Sequence, residues 1–200
     1  QYVSHVAFLC DNPEVQRHLP QIVIGNEKTI PEADLASLRS NCPGNFIILR
    51  RASAWVNGQL FAWVVRKLAA ALAPFMDTMQ PLLLFDACKQ HLCPLVFKAC
   101  AEARIFPVVV PARTTWLLQP LDTHVFATYK CHLMRAYQEE RIKSADGEVG
   151  LASLLRCVYT ATRGVLESRG WATAFSRNGF GSSQSELSAR VLGAVSYTHL

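Results

Sequence analysis

The chain has 200 residues, half of them apolar, with 20 basic and 15 acidic side chains and a net charge of +5. That length fits one sizeable domain with a real core. No window reaches the ~18 unbroken apolar residues of a membrane span, and no basic segment leads into an apolar run at the start, so neither a transmembrane helix nor a signal peptide is read. The mild basic excess is compatible with a polyanionic partner without specifying one. Seven cysteines, an odd number in a chain of this size, argue against a secreted disulfide framework and for the reduced thiols of cytosol or nucleus. Cys88, His91 and Cys93 lack a second ligand pair at zinc spacing, so they are read as plain thiols and a solvated histidine. The chain opens on Gln, and a fragment or processed product is expected.

Two short apolar runs, HVAFLC (5–10) and QIVIG (21–25), read as the strands of a hairpin with a long connection. FIILR (46–50) is a third strand, entered from CPGN. Over 57–72, Leu60, Phe61, Val64, Leu68 and Leu72 recur at helical spacing behind Asn57, a good N-cap. The unbroken run LLLF (82–85) reads as a strand buried on both faces. Pro94 opens a helix to about residue 104. IFPVVV (105–110) is a strand in which Pro107 argues for an edge. Residues 111–120 show no period and read as a loop. Phe126, Tyr129, Leu133 and Tyr137 mark one face of a helix over 123–141. A linker follows at 144–150, then helix to about 166 and a Gly- and Ser-rich loop at 178–185. The order of strands and helices predicts an α/β fold with a mixed sheet flanked by helices and a helical C-terminal extension.

Ligands collect at the carboxyl ends of strands in such sheets. Asp86 stands there, directly after the buried run, and Asp122 stands at the mouth of the helix that follows LQPL. The 35 intervening residues hold a helix, a strand and a loop, enough to bring the chain back. Each aspartate alone is also what a turn or an N-cap selects. An unrelated α/β domain with two capping aspartates, their carboxylates beyond ~8 Å and too distant to share ions, therefore stays open.

FDACKQH (85–91), with IFPVVVPARTTWLLQPLDTHVFATYK (105–130), resembles the catalytic core of DDE superfamily endonucleases. These are the pogo-like transposases and their domesticated descendants. The match is close over Leu118–Asp122 and looser elsewhere: Ala87 replaces a small polar residue and Ala112 a second proline. The Trp-containing segment 53–65 and the hairpin 5–25 are similar too, and RGWATAFSRNGF (169–180) more loosely. The resemblance implies an RNase H-like domain over 1–143 and an extension over 144–200. It implies carboxylates holding two Mg²⁺ or Mn²⁺ ions for phosphodiester cleavage and joining in DNA. Asp86 and Asp122 correspond to the second and third acids, as catalytic residues and metal ligands. The first acid belongs to a strand ahead of the hairpin; Asp11 is the one early candidate and falls on the wrong side of the turn. His91, Arg113 and Lys130 are the expected phosphate contacts, within a stretch (104–143) carrying six basic residues against three acids. Trp116 is placed to stack on a base or to pack under its own loop. DNA in the nucleus is the implied partner, with a homo-oligomer left open. This fragment is expected to be inactive. The rival reading is a domesticated, inactive scaffold of the same fold, binding DNA or protein. The terminal VSYTHL (195–200) resembles non-native read-through.

Overall fold

The computed structural model describes residues 3–28, 30–42, 44–181, 187–189 and 191. Strand β1 (Val3–Val6) runs antiparallel to β2 (Gln21–Asn26). Between them a one-turn helix, α1 (Pro13–Gln16), is capped by Asn12, whose side chain accepts the Glu14 N–H. The expected hairpin is present, but its first strand ends at Val6, short of Cys10. Beyond it, two buried glutamines hold the backbone. Phe8 N–H donates to Gln21 Oε1 (3.1 Å), and Phe8 C=O accepts from Gln21 Nε2 (3.0 Å) and Gln16 Nε2 (3.2 Å). Cys10 N–H donates to Gln16 Oε1 (2.6 Å). Buried backbone groups need partners, and here side chains supply them where strand pairing has stopped.

Helix α2 (Leu35–Ser40) lies in the crossover to β3 (Phe46–Arg51), which pairs parallel with β2. A parallel neighbour requires such a long connection. β2 is the covered strand of this sheet. Ile22 and Ile24 enter one core with Leu60, Phe61, Val64 and Leu68 of α3 (Gly58–Leu72), and Val23 enters a second with Leu35, Leu38 and Ile48. Asn57 caps α3 as predicted, accepting the Leu60 N–H at 2.8 Å.

β4 (Leu82–Asp86) corrects the expectation of a strand buried on both faces. Leu82 is 58% exposed, and of this strand only Phe85 is buried. The cause is its pairing. β4 joins β5 (Phe106–Val110) in a separate parallel two-stranded sheet, with α4 (Pro94–Glu102) between them. Pro107 fits because β5 is itself an edge strand, where a missing N–H is tolerated. The other edge of β4 is unpaired among the described residues. A groove of about 360 Å³ runs there, touched by Leu82, Leu83 and Leu84 on one side and by Leu9, Cys10 and Asp11 on the other. Consecutive strand residues point to opposite faces. A groove that meets three in a row therefore follows the strand's edge.

The segment expected to be a loop contains a short helix, α5 (Thr115–Leu118). A wide turn, Leu121–Val125, then leads into α6 (Phe126–Lys143). Helix α7 (Leu151–Ala161) sends Leu155 and Val158 into the core behind β3. Val165, Leu166, Trp171 and Ala174, the last two around α8 (Ala172–Phe175), pack on Val125 and Tyr129. In the predicted Gly-rich loop, Ser176–Phe180 forms a further wide turn with Gly179 at φ 87°. Positions 182–186 and the 195–200 tail lie outside the described residues. Among the described residues no helix is long and apolar enough to cross a membrane.

One buried group makes stability depend on pH. His5 Nδ1 shares a 2.9 Å hydrogen bond with the Tyr129 hydroxyl, while its Nε2 is buried without a hydrogen-bond partner. Burial lowers its pKa from 6.5 to about 4. Between those values the unfolded chain holds the extra proton, so stability rises with pH across the window and is lost on acidification. Chemical denaturation at pH 7 and pH 4.5 should differ by roughly 2–3 kcal/mol from this group, and His5→Gln should flatten that part of the profile. A stability profile that His5→Gln leaves unchanged would contradict this assignment.

Candidate metal and phosphate site

Asp86 is the last residue of β4, opposite Val110 in the sheet register. Its Oδ1 accepts the Cys88 N–H at 3.3 Å and lies 2.6 Å from His91 Nδ1. The first contact is the turn role that any strand-end Asp can adopt; the second is specific. The chain reverses at once, with His91 N–H and Leu92 N–H both donating to Cys88 C=O, and the reversal returns His91 to Asp86. The imidazole packs on Phe61 of α3 at 4.2 Å between ring centroids and meets Phe85 edge-on at 5.7 Å. Apolar contacts thus fix the ring plane and leave its Nδ1 edge to the carboxylate.

Asp122 sits in the first turn after Pro120, and no side chain caps this N-terminus. It is therefore not the helix cap that its position allows. Partial burial pushes its carboxyl pKa up, the negative charge of Asp86 pushes it further, and Lys130 pulls it down. Asp86 thus acts on Asp122 from another part of the chain, and Lys130 acts on it from the helix that follows. Asp86 and Asp122 share one electrostatic neighbourhood, with Lys130 beside it. Asp11 is not among the charges acting on Asp122; its carboxylate accepts the Cys10 thiol at 3.4 Å, beside the groove.

Arg113 follows β5 by three residues and is exposed. Its φ of 68° is left-handed, a costly backbone for a side chain with a Cβ. The Arg113 carbonyl accepts the Trp116 indole N–H at 2.9 Å, and the Trp116 ring remains 56% exposed. Arg113 thus lies in the loop leaving the strand that faces Asp86.

The position of Asp122 depends on a residue that was not singled out as a site residue from the letters. Asn178 is 1% exposed. Its Oδ1 accepts from the Thr123 hydroxyl at 3.0 Å, and its Nδ2 donates to Leu117 C=O. Both partners flank Asp122, so the C-terminal region clamps the turn that presents it. A polar residue in a Gly-rich stretch carries no such signal; only the fold brings it 55 positions back to Thr123.

A carboxylate whose proton affinity is raised by burial and by a second carboxylate needs a countercharge. Hard divalent cations take oxygen ligands and leave the rest of their shell to water and phosphate. The all-oxygen donor set of Asp86 and Asp122 is of the kind that suits a hard divalent cation.

The sequence profile of the DDE superfamily endonucleases matches residues 4–175. No curated protein and no solved structure gives a significant match. The matched span takes in both aspartates and, but for Val3, every element from β1 through α8, and the mixed α/β arrangement of helices and small sheets is that of an RNase H-like DDE domain. The chain therefore belongs to the DDE superfamily endonucleases.

Proposed function

We propose that this domain binds DNA and, in its complete form, cleaves and joins phosphodiester bonds, with Asp86 and Asp122 holding divalent metal, Mg²⁺ or Mn²⁺. What carries this reading is the family match over residues 4–175, with Asp86 at the end of β4 and Asp122 in the turn that leads into α6. When bound, such ions lower the pKa of attacking water and offset charge on the leaving oxygen. The chain's own residues do the remainder. His91 holds the Asp86 carboxylate in one orientation, through a bond the aromatic contacts support. Lys130 supplies positive charge beside Asp122, Arg113 meets the phosphate from the loop after β5, and such contacts make affinity fall as salt rises. The nucleus is the location that goes with this reading.

Two carboxylates do not make the two-ion clamp. We place the third on an extended segment from outside these 200 residues, seated in the groove between β4 and the Leu9–Asp11 segment. The groove is apolar, it follows an unpaired strand edge, and a smaller continuation reaches Gln119, Pro120 and Leu121, next to Asp122. A strand laid there would pair with β4 and could present an acid beside Asp86.

A longer form extended upstream should nick supercoiled plasmid in Mg²⁺ or Mn²⁺, whereas the 200-residue chain should not. The nicking rate should be first order in protein if the segment comes from the same molecule, and steeper if a second copy supplies it. Nicking by the 200-residue chain alone would contradict the placement of the third acid. An inert longer form with an acid on that segment would favour a DNA- or protein-binding scaffold, the reading towards which Ala87 and Ala112 lean.

A further inference from the structure

Asp86, Cys88 and His91 are brought together by the turn that follows β4. One ligand atom from each, a carboxylate oxygen, a thiol sulfur and an imidazole nitrogen, lies within 4.8 Å of the other two. They are the one such trio of potential ligands among the described residues. In sequence, Cys88 and His91 stand with Cys93 in a grouping that lacks zinc spacing; the fold sets Asp86 beside them instead. Cys93 lies over the start of α3, where a side chain on Gly58 would meet its Sγ at 2.7 Å.

This donor set differs in kind from a pair of carboxylates. Oxygen alone suits Mg²⁺, whereas sulfur and imidazole nitrogen select borderline-soft ions, Zn²⁺ above all. The dimensions fit. Zinc bonds of about 2.0–2.3 Å in a tetrahedron set ligand atoms roughly 3.3–3.8 Å apart. The 2.6 Å contact between His91 Nδ1 and Asp86 Oδ1 needs only a small opening to admit an ion. The ring is held in place by Phe61 and Phe85, so one of the three ligands is already oriented. Cys88 is half-buried and its thiol donates to Gln90 Oε1 at 2.5 Å, a partner on the exposed side that it can release.

We propose that Asp86, Cys88 and His91 form a Zn²⁺ site, three protein ligands with the fourth position open to water. Binding replaces the thiol hydrogen by the metal, and that proton passes to solvent. The site is distinct from the hard-cation pair but shares Asp86 with it. Bound Zn²⁺ therefore withdraws Asp86 from Asp122. That consequence rests on the endonuclease reading; the binding itself does not.

Co²⁺ titration of the reduced 200-residue chain, without DNA, tests the site. The expected result is one equivalent of Co²⁺ giving a thiolate-to-cobalt charge-transfer band and the strong visible bands of four-coordinate cobalt. Zn²⁺ should bleach both, and a large excess of Mg²⁺ should not. Cys88→Ser should remove the charge-transfer band, and His91→Gln should weaken binding at least about 100-fold, the upper range for losing even an outer partner of a metal ligand. Cys93→Ser should leave the spectrum unchanged. Circular dichroism and melting of each variant show whether it is folded. Absence of the band in the parent chain, or its persistence in folded Cys88→Ser, would overturn the proposal. Neither result depends on nuclease activity, so an inert protein that gives the band would fail the function and keep the site.

Discussion

Asp122→Asn in a longer, active form should reduce metal-dependent DNA nicking by at least about 10³-fold, which corresponds to roughly 4 kcal/mol of barrier. The same change should make the metal-free 200-residue chain slightly more stable. Its carboxyl is pushed towards the protonated form by partial burial and by Asp86. A carboxyl whose pKa is raised on folding opposes folding once it ionises, so the penalty is absent in acid and grows as pH rises past the unfolded value. Asn removes it. Asp122 is largely solvated, so solvent screening keeps the gain below about 1 kcal/mol, at most about 2–4 °C in melting temperature for a chain of this size. Mn²⁺ should raise the melting temperature of the parent chain at neutral pH and should do so much less in Asp122→Asn. A variant that loses stability in EDTA, or that keeps the full Mn²⁺ response, would place Asp122 in a packing role and not in a metal site.

Asn178→Ala carries the second large effect. The side chain is buried and joins Thr123 to Leu117. Truncation strands the Leu117 carbonyl and takes one partner from the Thr123 hydroxyl, which also donates to Gln119 C=O at 3.0 Å. Leaving buried polar groups unpaired costs about 1–3 kcal/mol each. A loss of about 2–4 kcal/mol follows, a fall of roughly 5–15 °C in melting temperature. A merely structural residue would lower stability and leave the site intact in the folded population. A positioning residue does more. Below its melting point, Asn178→Ala in the longer form should lose about 10²-fold in nicking rate, as misplacement by about 1 Å does, and should need more Mn²⁺. The Co²⁺ spectrum at Cys88 and His91 should not change, since those residues lie on a different turn. Wild-type nicking by a destabilised Asn178→Ala would confine the residue to stability.

What could be read from the letters follows the range over which the forces act. Asn57 announced α3 because a cap is a contact three residues long. The QIVIG run announced a strand, but its run of apolar residues could not be told from that of LLLF. Which of the two is covered depends on neighbours: β2 has strands on both sides, and β4 has one. Asp86 was legible at a strand end, but that His91 turns back onto it, where a phosphate contact was expected, only the fold shows. Asp122 was legible only through the resemblance of its flanks, since its carboxylate makes no local bond that a pattern would reveal. Asn178 was hidden because its partners lie 55 and 61 positions away. Cys88 was read as a plain thiol, because spacing offered it only His91 and Cys93; the backbone reversal after β4 sets it beside Asp86.

The convergence of Asp86 and Asp122 on shared metal is tested most directly by diffraction from crystals of the chain soaked in Mn²⁺, read by anomalous scattering. We expect an anomalous peak between the two carboxylates, with oxygen from each in its coordination shell. A peak on Asp86 alone, or carboxylates turned away from one another with no ion between them, would contradict the account.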